Sequence, residues 1–133
     1  MSETKTISRA AEFRQMLAHR AIVADGAMGT MLYARGIFIN RCFDELNATT
    51  PQMVKEIHQE YVRAGAEIIE SNTYGASSAR LASFNIGDKV VELNRAGVRL
   101  AREAASERTD VFVAGAMGPL GVHLEPLGPT SFA

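Results

Sequence analysis

The stretch PQMVKEIHQEYVRAGAEIIESNTYGA, from Pro51 to Ala76, decides the fold class. Thr50 precedes it, so a capping hydroxyl is followed by a proline at the first helical position, which is a typical helix start. Gly65 is a typical C-cap residue and ends this helix. The residues AEIIE at 66–70 form an apolar run typical of a buried strand, and a polar turn follows them. A helix, a strand and a polar turn in this order predict an α/β protein.

The same alternation extends in both directions along the chain. Upstream, Ser8–His19 is predicted as a helix with Ser8 as its N-cap, and AIVAD at 21–25 as a buried strand. Downstream, Asp88 is predicted to cap a helix that reaches about Ala105, and VFVAGA at 111–116 is the third predicted strand. Apolar strands without alternation predict a parallel sheet covered on both faces, or the wall of a barrel.

The remaining segments are predicted to be shorter or irregular. A short helix is predicted through residues 31–33, ending at Gly36, and another near residues 78–84. Residues 37–49 are predicted to be irregular. The stretch from 115 to 129 holds four of the eleven glycines and three of the four prolines, which is typical of a loop.

Composition argues against several classes of protein. The 133 residues carry 14 Lys and Arg against 15 Asp and Glu, whereas nucleic-acid binders usually show a basic excess. No apolar run approaches the roughly 18 residues of a membrane-spanning helix. The polar N-terminus shows no secretory signal, so we expect a cytoplasmic protein with no membrane partner. The length fits one domain but not a complete (β/α)₈ barrel, which needs about 250 residues.

Functional groups in parallel α/β folds collect at the carboxyl ends of the strands. The first predicted strand ends in Asp25 and Gly26, where a carboxylate beside a glycine can bind an amine or accept a proton. The second leads to Asn72 and Thr73, which offer donors and acceptors to a small polar ligand. Turn chemistry is the alternative for these residues, because Asp, Asn and Thr side chains also bond to the backbone of turns.

Other reactive side chains give weaker signals. Cys42 is the only cysteine and is interpreted as a small buried hydrophobic residue, with a nucleophile as the less favoured alternative. The histidines at positions 19, 58 and 123 lie in different predicted elements, so no metal site is predicted from them. Asp44 and Glu45 are interpreted as solvated charges rather than loop ligands. The glycine turns match neither common phosphate-binding pattern, which argues against nucleotide binding.

Four strings of the chain together resemble the homocysteine S-methyltransferase family. They are DGAMGTMLYARG (Asp25–Gly36), CFDELN (Cys42–Asn47), PQMVKEIHQEYVRAGAEIIESNTYGA (Pro51–Ala76) and VFVAGAMGPLG (Val111–Gly121). The similarity covers about residues 8–130. It is closest to the N-terminal part of bacterial bifunctional proteins that join this domain to a methylenetetrahydrofolate reductase domain. The strings are also similar to the first domain of cobalamin-dependent methionine synthase.

The resemblance implies a (β/α)₈ TIM barrel that transfers a methyl group to the sulfur of homocysteine and so makes methionine. In the family, three cysteine thiolates hold a zinc ion that binds the substrate sulfur as a thiolate. Asp25 and Gly26 match the family's first-strand site, and Asn72 and Thr73 match its second-strand turn. The resemblance therefore implies that these four residues bind the ammonium and carboxylate of homocysteine. The methyl donor, a methylated folate or cobalamin, is left open.

The chain ends before the family's zinc cysteines, which are a single Cys and a Gly-Gly-Cys-Cys motif, and Cys42 matches no zinc position. Residues 1–133 are therefore predicted to be about the first three β/α units of the barrel, truncated after the third strand, since three strands cannot close a barrel. The predicted partners are homocysteine, the remaining barrel and a reductase domain of the parent. We expect the parent to be the enzyme and the isolated chain to be inactive, with no catalytic residue or metal ligand of its own.

Some positions depart from the family pattern, which bears on the expected substrate contacts and not on the family, and two other interpretations also stay open. Ser71, Ser77 and Ser78 differ from the commoner residues around the second-strand turn, and Ala116 stands where many relatives carry an acidic residue. One alternative is a methyltransferase barrel that acts on another thiol or on a selenol. The other is a non-catalytic α/β module that binds an amino acid.

Overall fold

The computed structural model describes residues 8–38 and 40–131 of the chain. The helices are α1 (Arg9–His19), α2 (Met28–Ala34), α3 (Leu46–Thr49), α4 (Pro51–Arg63), α5 (Ser78–Ala82) and α6 (Val90–Ala105). A 3₁₀ turn at Gly87–Lys89 precedes α6, and the strands are β1 (Ile68–Glu70) and β2 (Phe112–Ala114). The order of helices and strands confirms the predicted α/β class.

The sheet is parallel. Its residue pairs are Ile68 with Phe112, Ile69 with Val113 and Glu70 with Ala114. The segment 21–25 lies along the other edge of β1 through a parallel bridge between Ala24 and Ile68. The Asp25 amide donates to the Ile68 carbonyl at 2.9 Å. The spatial order is therefore the segment 21–25, β1 and β2, with all three carboxyl ends at one edge.

The predicted strands are longer than the observed ones. The segment 21–25, predicted as a buried strand, pairs through one bridge only, and Val23 is 58% exposed. The prediction of burial was wrong because none of the side chains at 21–25 packs into a described hydrophobic cluster, and each of them is partly or largely exposed. The other two predicted strands, at 66–70 and 111–116, shorten to three residues each where the chain bends into its turns.

The core lies between the sheet and the pair α4 and α6. Ile69 packs there against α6, whose small residues let the helix approach the sheet closely. The buried residues of this cluster are Val62, Ala66, Ile69, Ala101, Ala104, Ala105 and Val111. A second cluster joins the helices nearer the site, and it consists of Leu32, Leu46, Val54, Ile57 and Leu100.

Helix α1 packs on the opposite face of the sheet. Ile69 faces α6, so its neighbour in the pleat, Ile68, and the paired Phe112 face the other way. The Phe13 ring meets the Phe112 ring edge-on with centroids 5.3 Å apart. The Arg9 guanidinium lies 4.1 Å from the centroid of the same ring. Ser8 caps this helix as predicted, because its Oγ accepts from the Ala11 amide at 3.3 Å.

Three sequence predictions about the helices differ from the structure. Helix α4 begins at Pro51 as predicted, but the Thr50 hydroxyl caps nothing, because Thr50 also ends α3 and its backbone is outside the extended N-cap region. Asp88 lies inside the 3₁₀ turn and therefore cannot cap α6. Residues 37–49, predicted to be irregular, contain the short helix α3. The predicted end of α4 is confirmed, since Gly65 has a φ of 107°.

Candidate functional site

The carboxyl ends of the three parallel segments open into a cleft of about 640 Å³. This volume is in the range of sites for small organic ligands. Its walls come from the turn after residues 21–25, the loop before α3, the turn after β1 and the start of α5. The lining residues include Asp25, Gly26, Cys42, Phe43, Asp44, Glu70, Ser71, Asn72, Tyr74, Gly75, Arg80 and Ala116.

Asp25 is the half-buried carboxylate at the mouth of the first parallel segment. Its Oδ2 accepts a hydrogen bond from the Glu70 amide at 3.1 Å, which fixes the side chain against the end of β1. The pKa of Asp25 is raised to about 6, mainly by burial and to a smaller extent by the nearby Glu70 carboxylate, against the hydrogen bond from the Glu70 amide, which lowers it. Asp25 is therefore ionised at neutral pH, and it lines the cleft.

Gly26 brings the backbone close to the Tyr61 ring. A Cβ at this position would lie 3.0 Å from the Tyr61 Oη, so a larger residue would push the ring away. The Tyr61 hydroxyl donates to the Ala27 carbonyl at 3.2 Å and holds the turn in place. Gly26 lines the cleft, and its amide makes no hydrogen bond within the described residues.

Asn72 lines the cleft but uses its amide nitrogen inside the protein. Its Nδ2 donates to the Phe43 carbonyl at 2.8 Å and to the Asn47 Oδ1 at 3.0 Å. Both hydrogens of the amide are therefore occupied, and the Oδ1 is the part of the side chain that can meet a ligand.

Thr73 is buried and does not line the cleft. Its Oγ1 donates to the Ala116 carbonyl at 2.8 Å. The Ser71 Oγ lies 2.7 Å from the Thr73 Oγ1 and accepts from the Ala116 amide at 3.2 Å. Since the Thr73 proton goes to the carbonyl, Ser71 donates to Thr73. The two hydroxyls join the end of β1 to the end of β2, so the hydroxyl predicted to contact the ligand is used within the protein.

Asp44 corrects the interpretation of the loop charges. It is only 8% exposed, and its Oδ1 accepts from the Gly75 amide at 2.9 Å. Burial raises the pKa of this carboxyl, which the Gly75 amide opposes. The prediction of a solvated charge was wrong for Asp44 because its partner lies 31 positions further along the chain.

Cys42 is buried, as predicted, and packs with Leu81 and Leu93. Its Sγ lies 3.9 Å from the Asp44 Oδ2. Burial, together with the neighbouring carboxylates, raises the pKa of this thiol, which keeps it protonated and a poor nucleophile. These features fit the predicted hydrophobic role rather than the nucleophile.

Sequence reasoning missed three residues of this region: Asn47, Glu70 and Gly97. Glu70 ends β1 and lines the cleft beside Asp25. Asn47 is 1% exposed and bonds to the backbone of the second-strand turn, and Gly97 of α6 makes room for it. The only signal for Asn47 is an amide at the end of the CFDELN string, where loop residues are usually solvated.

Over residues 8–38 and 40–131, no group of three or more His, Cys, Asp or Glu side chains could hold a metal ion. None of the helices in these ranges is both long enough and apolar enough to cross a membrane.

Comparison with known proteins places the chain in a family. A profile described as homocysteine S-methyltransferase matches residues 22–133. Among curated proteins, the chain is 37% identical to a methionine synthase of Mycobacterium leprae and 36% identical to one of Mycobacterium tuberculosis. Each match covers 89% of this chain but only 10% and 11% of those relatives, so the chain spans about a tenth of their length.

Solved structures give the same result at the level of the fold. The metallated form of the homocysteine methyltransferase MmuM from Escherichia coli superposes with a TM-score of 0.70 and 31% identity, over 82% of this chain and 42% of that one. Its oxidized form superposes with a TM-score of 0.69 and 31% identity, over 82% and 41% of the two chains. The profile covers most of the chain, and the cleft lies at the strand ends where the motifs begin. The chain belongs to the homocysteine S-methyltransferase family.

Proposed function

We propose that this chain is the part of a homocysteine S-methyltransferase that holds the amino-acid end of homocysteine. The observation that carries the proposal is the half-buried, ionised carboxylate of Asp25 beside Gly26, in a cleft at the carboxyl ends of parallel segments. The family membership and the likeness to MmuM support homocysteine as the ligand. The product of the whole enzyme would be methionine.

Both charged groups of the homocysteine zwitterion have a partner in the cleft: the ammonium has a carboxylate, and the carboxylate has a hydrogen-bond donor. The homocysteine ammonium pairs with the Asp25 carboxylate, and Glu70 next to it adds negative charge. The substrate carboxylate accepts from the Gly26 amide. Asn72 contributes its Oδ1, and Thr73 supports the site by joining β1 to β2 rather than by touching the ligand. These groups bind and orient the substrate, and none of them acts on the reacting sulfur.

The described residues do not fit a zinc site of three cysteines. The sequence has one cysteine, and that thiol is buried beside Asp44. We therefore place the zinc ligands of the whole enzyme outside residues 1–133 and assign substrate binding alone to this chain. The chain superposes on 42% of the MmuM chain, which supports the proposal that it forms about the first three β/α units of a TIM barrel. The isolated chain is then inactive. The methyl donor, the reductase domain and the cytoplasmic location stay predictions.

The substitution Asp25→Asn tests this proposal in the full-length protein that carries residues 1–133. Loss of one charge-assisted bond raises the KM for homocysteine by about 10- to 100-fold. Zinc content per chain, measured by mass spectrometry, stays at the wild-type value, because Asp25 is not a metal ligand. The matched control is Glu12→Gln on α1, which removes the same charge from an exposed side chain that does not line the cleft.

The pH dependence of the same variant gives an independent readout. The pKa of Asp25 is about 6 in the folded protein, so the carboxylate is lost as the pH falls below that value. In the wild type, kcat/KM for homocysteine therefore declines below pH 6, whereas Asp25→Asn lacks this decline. An unchanged KM, or a loss of zinc in Asp25→Asn, contradicts the proposed role. A wild-type preference for another thiol or for a selenol over homocysteine contradicts the proposed substrate.

A further inference from the structure

Asn47 connects three parts of the chain through one buried side chain. It lies in α3 and is 1% exposed. Its Nδ2 donates to the Asn72 carbonyl at 2.7 Å and to the Leu93 carbonyl of α6 at 3.2 Å. Its Oδ1 accepts from the Asn72 Nδ2 at 3.0 Å. Asn47 therefore bonds to both the backbone and the side chain of Asn72, and it fixes them relative to α6.

This contact determines which way round the Asn72 amide lies. Its two N–H hydrogens point at two oxygens, those of Phe43 and Asn47. A reversed amide would set its oxygen against both of these acceptors, which is electrostatically unfavourable in a buried site. The Asn72 Oδ1 has no hydrogen-bond partner among the described residues. It is also not fully buried, since it is absent from the fully buried polar atoms that lack a partner. Because Asn72 lines the cleft, it presents an acceptor there.

The fold leaves just enough room for this arrangement at Gly97 of α6. A Cβ on Gly97 would lie 2.7 Å from the Asn47 Nδ2 and 2.7 Å from the Thr73 Cγ2. Real Cβ atoms do not approach other heavy atoms so closely, so a side chain on Gly97 would displace Asn47 and the turn. The absence of a side chain at Gly97 of α6 therefore allows Asn47, the last residue of the CFDELN string, to reach Asn72.

We propose that Asn47 is a positioning residue, which holds the Asn72 side chain with its oxygen toward the cleft and so makes the second-strand turn an acceptor for the homocysteine ammonium. This inference rests on the proposed function, since it assumes the same ligand in the same cleft. The Asn72 oxygen is then a second hydrogen-bond acceptor beside the Asp25 carboxylate. Two acceptors favour an ammonium group at this end of the site over an anionic group.

A double-mutant cycle in the full-length protein tests the proposal. Asn47→Ala, Asn72→Ala and the double variant are compared by their KM for homocysteine. Each single variant is expected to raise KM by about tenfold, the effect of losing one hydrogen bond to a charged group, with kcat within about threefold of the wild type. The double variant is also expected to show about a tenfold rise, because Asn47 acts only through Asn72. Thr49→Ala, which removes an exposed hydroxyl from the same helix, is the control.

Independent effects overturn the proposal. If Asn47 only stabilises the fold, its variant lowers the melting temperature but leaves KM unchanged, or the two effects multiply to about a hundredfold in the double variant. An unchanged KM in Asn72→Ala also overturns it, because the acceptor is then unused. Asp25→Asn, measured in parallel, separates the two proposals: a raised KM there with unchanged KM in the Asn variants defeats this inference alone.

Gly97→Ala keeps the test decisive if Asn47→Ala does not fold. This substitution retains both asparagine side chains but pushes Asn47 and Thr73 out of their positions from α6. We expect a raised KM together with faster hydrogen exchange in peptides that cover residues 71–76. A folded Gly97→Ala protein with wild-type KM and wild-type exchange overturns the proposal. Val91→Ala, at a 60% exposed position of the same helix, is the matched control.

Discussion

At the scale of the residue, His58 of α4 is a buried titratable group outside the cleft. The side chain is fully buried, and neither ring nitrogen has a hydrogen-bond partner among the described residues. Burial alone lowers the pKa of this imidazole to about 4. The folded protein therefore holds His58 neutral, whereas the unfolded chain binds a proton near the ordinary pKa of 6.5.

This difference predicts a loss of stability in acid. Between pH 6.5 and 4 the unfolded state binds the proton and the folded state does not, so stability falls as the pH falls. The loss amounts to about 3 kcal/mol at most when the pKa difference is converted to free energy. Asp25 acts in the opposite direction, because its pKa is raised in the folded state. The contribution of His58 is therefore measured as the difference between the wild type and His58→Leu in how much the free energy of unfolding changes with pH.

Urea unfolding of both proteins at pH 7 and pH 4.5 gives this difference. The wild type is expected to lose more stability than His58→Leu, since leucine fills the site without titrating. Equal losses in the two proteins would show that His58 is not held neutral by burial. His19→Leu, which changes a histidine at an exposed position, serves as the control.

Single residues also show where sequence reasoning stops. Asp25 and Gly26 could be chosen from sequence because a strand end and its turn are local features. Asp44 could not, because its burial depends on the Gly75 amide 31 positions away. The internal bonding of Thr73 likewise depends on the distant Ala116 carbonyl.

At the scale of the element, the long amphipathic helices were predictable, and the short helices predicted near 31–33 and 78–84 are confirmed as α2 and α5, whereas α3 was not predicted. Helix α4 buries Val54, Ile57 and Val62 at helical spacing, and its start and end match the prediction. Helix α3 has four residues, which is too short to show a period. The segment 21–25 looks like a buried strand by composition, but burial of its side chains needs elements packed over the faces of the sheet, which composition does not reveal.

Packing between the helices predicts the cost of truncating a core residue. Ile57 is fully buried in the cluster with Leu32, Leu46 and Leu100. Ile57→Ala is expected to lower the free energy of unfolding by about 2–5 kcal/mol, because it removes buried methyl groups and leaves a cavity. Val91→Ala on the 60% exposed position of α6 is expected to change it by less than about 0.5 kcal/mol. Urea unfolding measures both, and similar values for the two variants would contradict the core assignment.

At the scale of the whole molecule, the order of the parallel segments places the site. The segment 21–25, β1 and β2 lie side by side, so their carboxyl ends bring together groups separated by long stretches of sequence. The parallel class was predictable from the alternation of elements, whereas the family came from the four strings and not from composition. The chain spans 42% of the metallated MmuM structure, which supports the proposal that further strands complete the barrel.

The central claim is that this chain holds the amino-acid end of homocysteine through Asp25. A crystal structure of the full-length protein with homocysteine bound tests it most directly. We predict the ammonium nitrogen within about 3 Å of an Asp25 carboxylate oxygen, the substrate carboxylate at the Gly26 amide, and the sulfur directed toward a metal held by residues beyond position 133. Homocysteine bound with its ammonium on other groups, and with Asp25 facing no part of it, would contradict the account.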